Sequence, residues 1–158
     1  MITESAPPEL GAPAPDFSLP GTEGTFSLRA QRGKHVVLYF YPRDATPGCT
    51  TEAEAFRDSS ATFAAANAII VGISRDTLGS HRKFADRLAL PFALLADPEE
   101  TVCLQYGVMK EKMLYGKKVR GIERSTFLID KDGKLRQMWR GVKVAGHAEA
   151  VLAALQTL

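Results

Sequence analysis

The sequence predicts an α/β fold, with a mixed central sheet, helices on both faces and an N-terminal β-hairpin. Three observations carry this. Strand-like apolar runs alternate with segments of helical periodicity through the middle of the chain, the pattern of parallel crossover units. The runs His35–Tyr41 and Ile69–Ile73 are apolar at both parities, as strands buried on two faces must be. Near the C-terminal end a strand–turn–strand signal replaces the crossovers, so the sheet has to be mixed.

Taken in order, residues 1–15 hold four prolines, Pro7, Pro8, Pro13 and Pro15, and have little to bury, so an extended, partly mobile lead-in is expected. Asp16–Leu19 and Thr25–Leu28 alternate polar with apolar around Gly21–Gly24, which predicts the hairpin. Pro42 stops the first central strand, and a turn over Ala45–Gly48 leads to a helix from about Pro47 to Asn67 with Ala53, Phe56, Phe63 and Ala64 on its core side. After the second strand, Asp76 or Thr77 caps a helix running to Leu88, and Phe92–Leu95 reads as a short strand. Asp97 as N-cap and Pro98 at the first helical position open a third helix that ends near Gly107. Residues 108–124 read as a basic, irregular stretch, and Thr126–Ile129 and Leu135–Arg140 as a hairpin turning at Asp130–Gly133. His147–Leu155 closes the chain as a helix. This order of elements suits a thioredoxin-like architecture formed by residues 1–158 as a single domain.

At 158 residues, 45% hydrophobic and 24% charged, the composition is that of an ordinary globular chain. A net charge of +2 points to neither nucleic acid nor a membrane surface as a partner. No apolar run approaches the roughly 20 residues needed to span a bilayer, and the N-terminus lacks the basic start and apolar core of a secretory signal. Two cysteines make no disulfide framework, and His35, His81 and His147 share no metal-ligand spacing with them. No metal or cofactor is expected, and a reducing cytoplasm is the expected compartment.

The residue with chemical potential is Cys49. With Thr46 as N-cap and Pro47 as the first helical residue, Cys49 occupies the third helical position, where a capping box places a glutamate. A thiolate there gains from unpaired N–H groups and from the positive end of the helix dipole. Gly48 offers no side chain to block approach, and Thr46 is placed to aim its hydroxyl at the same spot. Spacing alone leaves a nucleophile and a small buried residue evenly matched.

The stretch YPRDATPGCTTE, with Pro42, Thr46 and Cys49 in a P-x-x-x-T-x-x-C arrangement, resembles the active-site motif of peroxiredoxins. Its longer form, YPxxxTPGCTxEA, is similar to the bacterioferritin-comigratory-protein, or Q-type, branch, and the likeness continues through APDFSLP, VGISRD, FALLAD and YGKKVRGIERSTFLIDKDG. The resemblance implies a thiol peroxidase that reduces hydrogen peroxide and organic hydroperoxides. Cys49 is then the peroxidatic cysteine, which becomes a sulfenic acid. Thr46 hydrogen-bonds the thiolate and the incoming peroxide, and Pro42 shields the site, although a plain strand terminator fits Pro42 equally well. Arg124 is the arginine that favours the thiolate and stabilises charge developing on the peroxide; spacing alone does not single it out. Glu52 is either a pocket-orienting residue or an ordinary first-turn acid.

The sequence departs from the branch where the resolving thiol belongs. Many Q-type relatives carry it five residues after the first cysteine, which here is Glu54, and others near Phe84–Ala85, where there is also none. Cys103 remains, as a packing residue beside Val102 and Tyr106, as an internal disulfide partner, or as a bridge between chains. The leading expectation is a one-cysteine mechanism in a monomer or weak homodimer, with thioredoxin, glutaredoxin or a small thiol as reductant. The rivals are a two-cysteine cycle through Cys103, a disulfide exchanger, and a non-catalytic chaperone or binding module. An exchanger wants a second cysteine at the position of Glu52.

Overall fold

The computed structural model describes residues 7–158; the first six residues of the expected lead-in lie outside the described residues. A five-stranded sheet organises the chain. It contains β3 (His35–Phe40), β4 (Ala68–Ser74), β5 (Ala93–Ala96), β8 (Ser125–Ile129) and β9 (Leu135–Arg140), in the order β5-β4-β3-β8-β9. The pairs β3–β4 and β4–β5 are parallel, whereas β3–β8 and β8–β9 are antiparallel, so the sheet is mixed as expected. The N-terminal hairpin forms as two short strands, β1 (Ser18–Leu19) and β2 (Phe26–Ser27), in a separate ribbon.

Alternation along β3 separates two cores. Val36, Leu38 and Phe40 point to one face, where they meet Phe17, Leu28, Val102, Cys103 and Tyr106. Val37, Tyr39 and Tyr41 point to the other, where they meet Cys49, Phe56, Phe84 and Val151. That second face carries α1 (Pro47–Ala65), α2 (Leu78–Leu88) and α4 (His147–Leu155), whereas the first carries α3 (Thr101–Gln105). The central aromatics are fully buried, and Tyr39 stacks on Phe56 at 4.8 Å between centroids. Burying each such side chain contributes roughly 1.5–3 kcal/mol, enough to fix how α1 lies on the sheet.

Four expectations need correction. Residues 108–124 are not irregular: β6 (Met109–Leu114) and β7 (Lys117–Ile122) form an antiparallel hairpin. Both its faces are largely exposed, so no apolar alternation marks it in the sequence. Asp97 does not cap α3 directly. A turn follows it, in which Glu100 N–H donates to the Asp97 carbonyl at 3.0 Å, and Glu100, left-handed at φ 65°, takes the cap position. The Asp97 carboxylate still serves the helix, accepting from Cys103 N–H at 2.8 Å. Ala64 is exposed, because α1 presents Ala53, Phe56 and Phe63 to the core and Ala64 lies off that line. Lastly, the described part of the lead-in does bury side chains. Gly11 and Ala14 N–H donate to the Leu135 and Gly133 carbonyls at 2.7 and 2.9 Å, and Pro8 and Ala14 are buried.

Candidate active site

The site lies at the end of the sheet where β3 finishes and β8 begins. These strands are antiparallel neighbours, with Phe40 opposite Ser125. The loop leaving β3 and the residue entering β8 therefore arrive together, although they are far apart in sequence. The loop carries Cys49 on α1, and the residue before β8 is Arg124.

Thr46 is the N-cap of α1 in position, with extended backbone at φ −80° and ψ 154°, and Pro47 is the first helical residue. Cys49 occupies the first turn as the spacing required and is 2% exposed. Arg124 Nη2 lies 3.4 Å from its sulfur, and Arg124 Nη1 donates to Glu52 Oε1 at 2.6 Å. Glu52 follows Cys49 by three positions on the same helix face. One guanidinium thus bridges thiol and carboxylate with its two ends, a planar fork that a lysine cannot reproduce. Gly48 makes room for it, because a Cβ at that position would stand 3.2 Å from Arg124 Nη2.

Thr46 differs from expectation. Its hydroxyl makes no cap hydrogen bond and instead donates to the Arg43 carbonyl at 2.9 Å. The cause is local: Ala45 is left-handed at φ 63°, and the reversal turns the Arg43 carbonyl toward the threonine. With its proton spent there, the Thr46 oxygen presents lone pairs and can only accept. Pro42 stands exposed at the start of the loop, directly after the buried Tyr41.

A buried polar cluster holds this loop, and side-chain spacing did not reveal it. Asp44 accepts from Tyr41 Oη at 2.6 Å and from Ser80 Oγ at 2.8 Å, and its backbone N–H donates to Asp76 Oδ2 at 2.9 Å. His81 Nδ1 lies 2.8 Å from Asp44 Oδ2, and Nε2 lies 2.9 Å from the Leu95 carbonyl. The only signal in the sequence is that Asp44 and His81 sit beside buried elements. Asp44, Asp76 and His81 bring ligand-type atoms within 4.8 Å of one another, but those atoms are engaged in these hydrogen bonds. Hydrogen bonding to His81 and Tyr41 outweighs burial and holds the Asp44 carboxyl below its usual range.

Two further groups are tuned by the site. His147, whose Nε2 lies 2.7 Å from Thr126 Oγ1, is pushed down to about 4 by burial and then by the Arg124 charge, so it is neutral at pH 7. Burial raises Glu52 from 4.5 to about 7 against the opposing pull of Arg124, and its Oε2 has no hydrogen-bond partner among the described residues. The favourable contribution of a neutral Glu52 is therefore intact below pH 4.5 and is lost as pH rises through 7. Expressed as free energy this is about 3 kcal/mol between those limits. Glu52→Gln should accordingly gain stability over the native chain as pH rises from 5 to 8. Urea denaturation of both at the two pH values checks this, and parallel profiles would contradict it.

Cys103 is not in this site. It is fully buried on the opposite face of the sheet, in the core that contains Val102 and Tyr106, while Cys49 belongs to the core beneath α1. Burial and the neighbouring Asp97 push its thiol far up, which disfavours the thiolate. Both cysteines are free.

A thiol paired with an arginine at the start of a helix, on a mixed sheet of this order, is the arrangement of a thiol-based enzyme. The chain belongs to the AhpC/TSA family, whose model matches residues 10–138. It is 52% identical over 151 residues to peroxiredoxin Bcp of Bacillus subtilis, covering 95% of this chain and 94% of that one. It superposes on peroxiredoxin Q of Xanthomonas campestris with a TM-score of 0.88 at 47% identity, over 98% of each chain. A trapped intermediate/ligand complex of the Xanthomonas campestris bacterioferritin comigratory protein, described for its alkyl peroxide reduction activity, aligns with a TM-score of 0.85 at 48% identity, over 89% of this chain and 90% of that one. Within the family the chain is thus a thiol peroxidase of the Bcp, or Q-type, peroxiredoxin branch. Among the described residues no helix is long and apolar enough to cross a membrane.

Proposed function

We propose that the chain, acting as one peroxiredoxin domain, reduces hydrogen peroxide and organic hydroperoxides by a one-cysteine mechanism at Cys49. The observation that carries this is the approach of Arg124 Nη2 to the Cys49 sulfur at the N-terminal turn of α1. The alkyl peroxide activity of the Xanthomonas relative supports the substrate class.

The thiolate sulfur attacks the terminal peroxide oxygen, the O–O bond breaks, and the departing alkoxide or hydroxide takes up a proton to leave as alcohol or water. The sulfur is oxidised to Cys49–SOH as the peroxide is reduced. Arg124 stabilises charge gathering on the leaving oxygen. Glu52 is a positioning residue that fixes the guanidinium through Nη1. The Thr46 oxygen accepts from the peroxide O–H and so aligns the O–O bond with the sulfur. Pro42 covers the mouth of the site.

Regeneration draws on outside thiols. One thiol condenses with Cys49–SOH to give a mixed disulfide and water, and a second attacks that disulfide to free Cys49. Thioredoxin, glutaredoxin or a small thiol can supply both in a reducing cytoplasm, with the protein a monomer or weak homodimer. The position of Cys103 across the sheet supports this reading over an internal disulfide. Cys103→Ser should retain turnover with a small-thiol reductant within about twofold, since surrounding core packing is little changed. Loss of turnover in a folded Cys103→Ser protein would sink the one-cysteine cycle.

A further inference from the structure

The hairpin that leads into Arg124 has a feature that the peroxidase cycle does not use. Among the described residues β6 and β7 pair only with each other, and their tip turns at Tyr115 and Gly116, with φ of 51° and 76°. A two-residue turn with both central residues left-handed is most easily made by Asn-Gly or Gly-Gly. A tyrosine at the first place is strained, and here its ring is 96% exposed. Met113 and Leu114 beside it are 63% and 51% exposed, and Val119 is exposed behind them. Seven large apolar side chains are exposed among the described residues, and these four share one hairpin. They form a patch rather than the scattered singles of an ordinary surface.

Cations surround this patch. Lys110, Lys112, Lys117 and Lys118 are exposed and form no ion pair among the described residues, whereas Arg120 is taken up by Glu100. Glu111 is the one acid in the hairpin. The register sets Leu114 opposite Lys117 and Lys112 opposite Val119 on one face of the ribbon, and Met113 opposite Lys118 on the other. Both faces therefore carry an apolar side chain at the tip with a lysine directly across from it; the next pair back is Lys112 and Val119 on the first face and Glu111 and Arg120 on the second. A groove on a partner protein would clasp one face of such a ribbon. A second copy would bring another four lysines against these four. An anionic bilayer surface suits both faces at once: the apolar tip enters the acyl boundary and the lysines reach back to the headgroup phosphates.

We propose that the β6–β7 hairpin is a docking wedge that inserts Met113, Leu114 and Tyr115 into the surface of a bilayer rich in anionic lipid. The net charge of +2 does not oppose this, because the attraction acts within a Debye length of the lysines. Attachment is peripheral, and β7 ends at Ile122, two residues before Arg124, so the wedge joins the chain next to the arginine of the site.

Co-sedimentation with vesicles tests the wedge without any turnover, so its failure is separate from failure of the peroxidase reading. The protein should pellet at low salt with vesicles of phosphatidylglycerol and phosphatidylcholine but not with phosphatidylcholine alone, and should be released as salt rises. Leu114→Ser with Tyr115→Ser should abolish pelleting. Each of Lys112→Glu, Lys117→Glu and Lys118→Glu should weaken it at least about fivefold. These positions lie outside the core, so turnover of a soluble hydroperoxide should be unchanged in every variant and reports that the fold is intact. No pelleting with anionic vesicles at low salt, or pelleting that survives the tip substitutions, would overturn the proposal. So would a dimer that Tyr115→Ser dissolves in a protein with no affinity for vesicles.

Discussion

Cys49→Ser is expected to reduce peroxide consumption to the background rate of reductant and peroxide alone, while leaving the chain folded. The effect is large because nothing else in the site can act as the nucleophile. A serine hydroxyl stays protonated at pH 7, and its oxygen cannot take up the transferred oxygen as a sulfenic acid does. The structural cost is small by comparison. Cys49 is 2% exposed, and a serine oxygen of similar size would still face the Arg124 guanidinium as an acceptor. Steady-state turnover together with a denaturation curve separates the two effects. Turnover above background in Cys49→Ser would remove the cysteine from the mechanism.

Arg124→Met is expected to lower kcat/KM for hydrogen peroxide by about 10²–10³, the usual cost of losing a donor aimed at developing negative charge. Arg124 is half-buried, and although burial opposes its charge, Glu52 and Cys49 outweigh that and hold it firmly protonated. Methionine fills the space and leaves the sulfur and the leaving oxygen without a cation. Lysine should fall between the two, because a single ammonium cannot span Glu52 and Cys49 as the two guanidinium nitrogens do. Stopped-flow oxidation of the three proteins measures this order. A methionine variant within about threefold of the native rate would contradict the charge role.

Part of this site is legible in the sequence, and the reason is that part of it is local. Thr46, Pro47 and the apolar face of α1 determine where the helix begins, and that places Cys49 in its first turn whatever the rest of the chain does. Arg124 has no such signal. It meets Cys49 because β8 lies antiparallel to β3, a pairing across the sheet that side-chain spacing along either strand does not reveal. Only the resemblance of GIERSTF to known peroxiredoxins singled it out. The Thr46 hydroxyl's partner is hidden from the sequence for a related reason, since it depends on the left-handed Ala45, and a backbone reversal at alanine has no residue signature. The Asp44–His81 cluster is also non-local, joining the loop after β3 to α2. For β6 and β7 the obstacle was exposure: a ribbon with solvent on both sides needs no alternation, so the hairpin rests on its ladder and turn. The separation of Cys49 from Cys103 follows from the parity of β3, which was legible, combined with the side of the sheet that α3 covers, which was not.

The central claim is that Cys49 is oxidised alone and waits for an outside thiol. Mass spectrometry of the native chain after one equivalent of hydrogen peroxide, with a sulfenic-acid trap present and no reductant, tests it directly. The expected result is the trapping adduct on Cys49 with Cys103 remaining a free thiol. A disulfide between Cys49 and Cys103, with no adduct on Cys49, would contradict it.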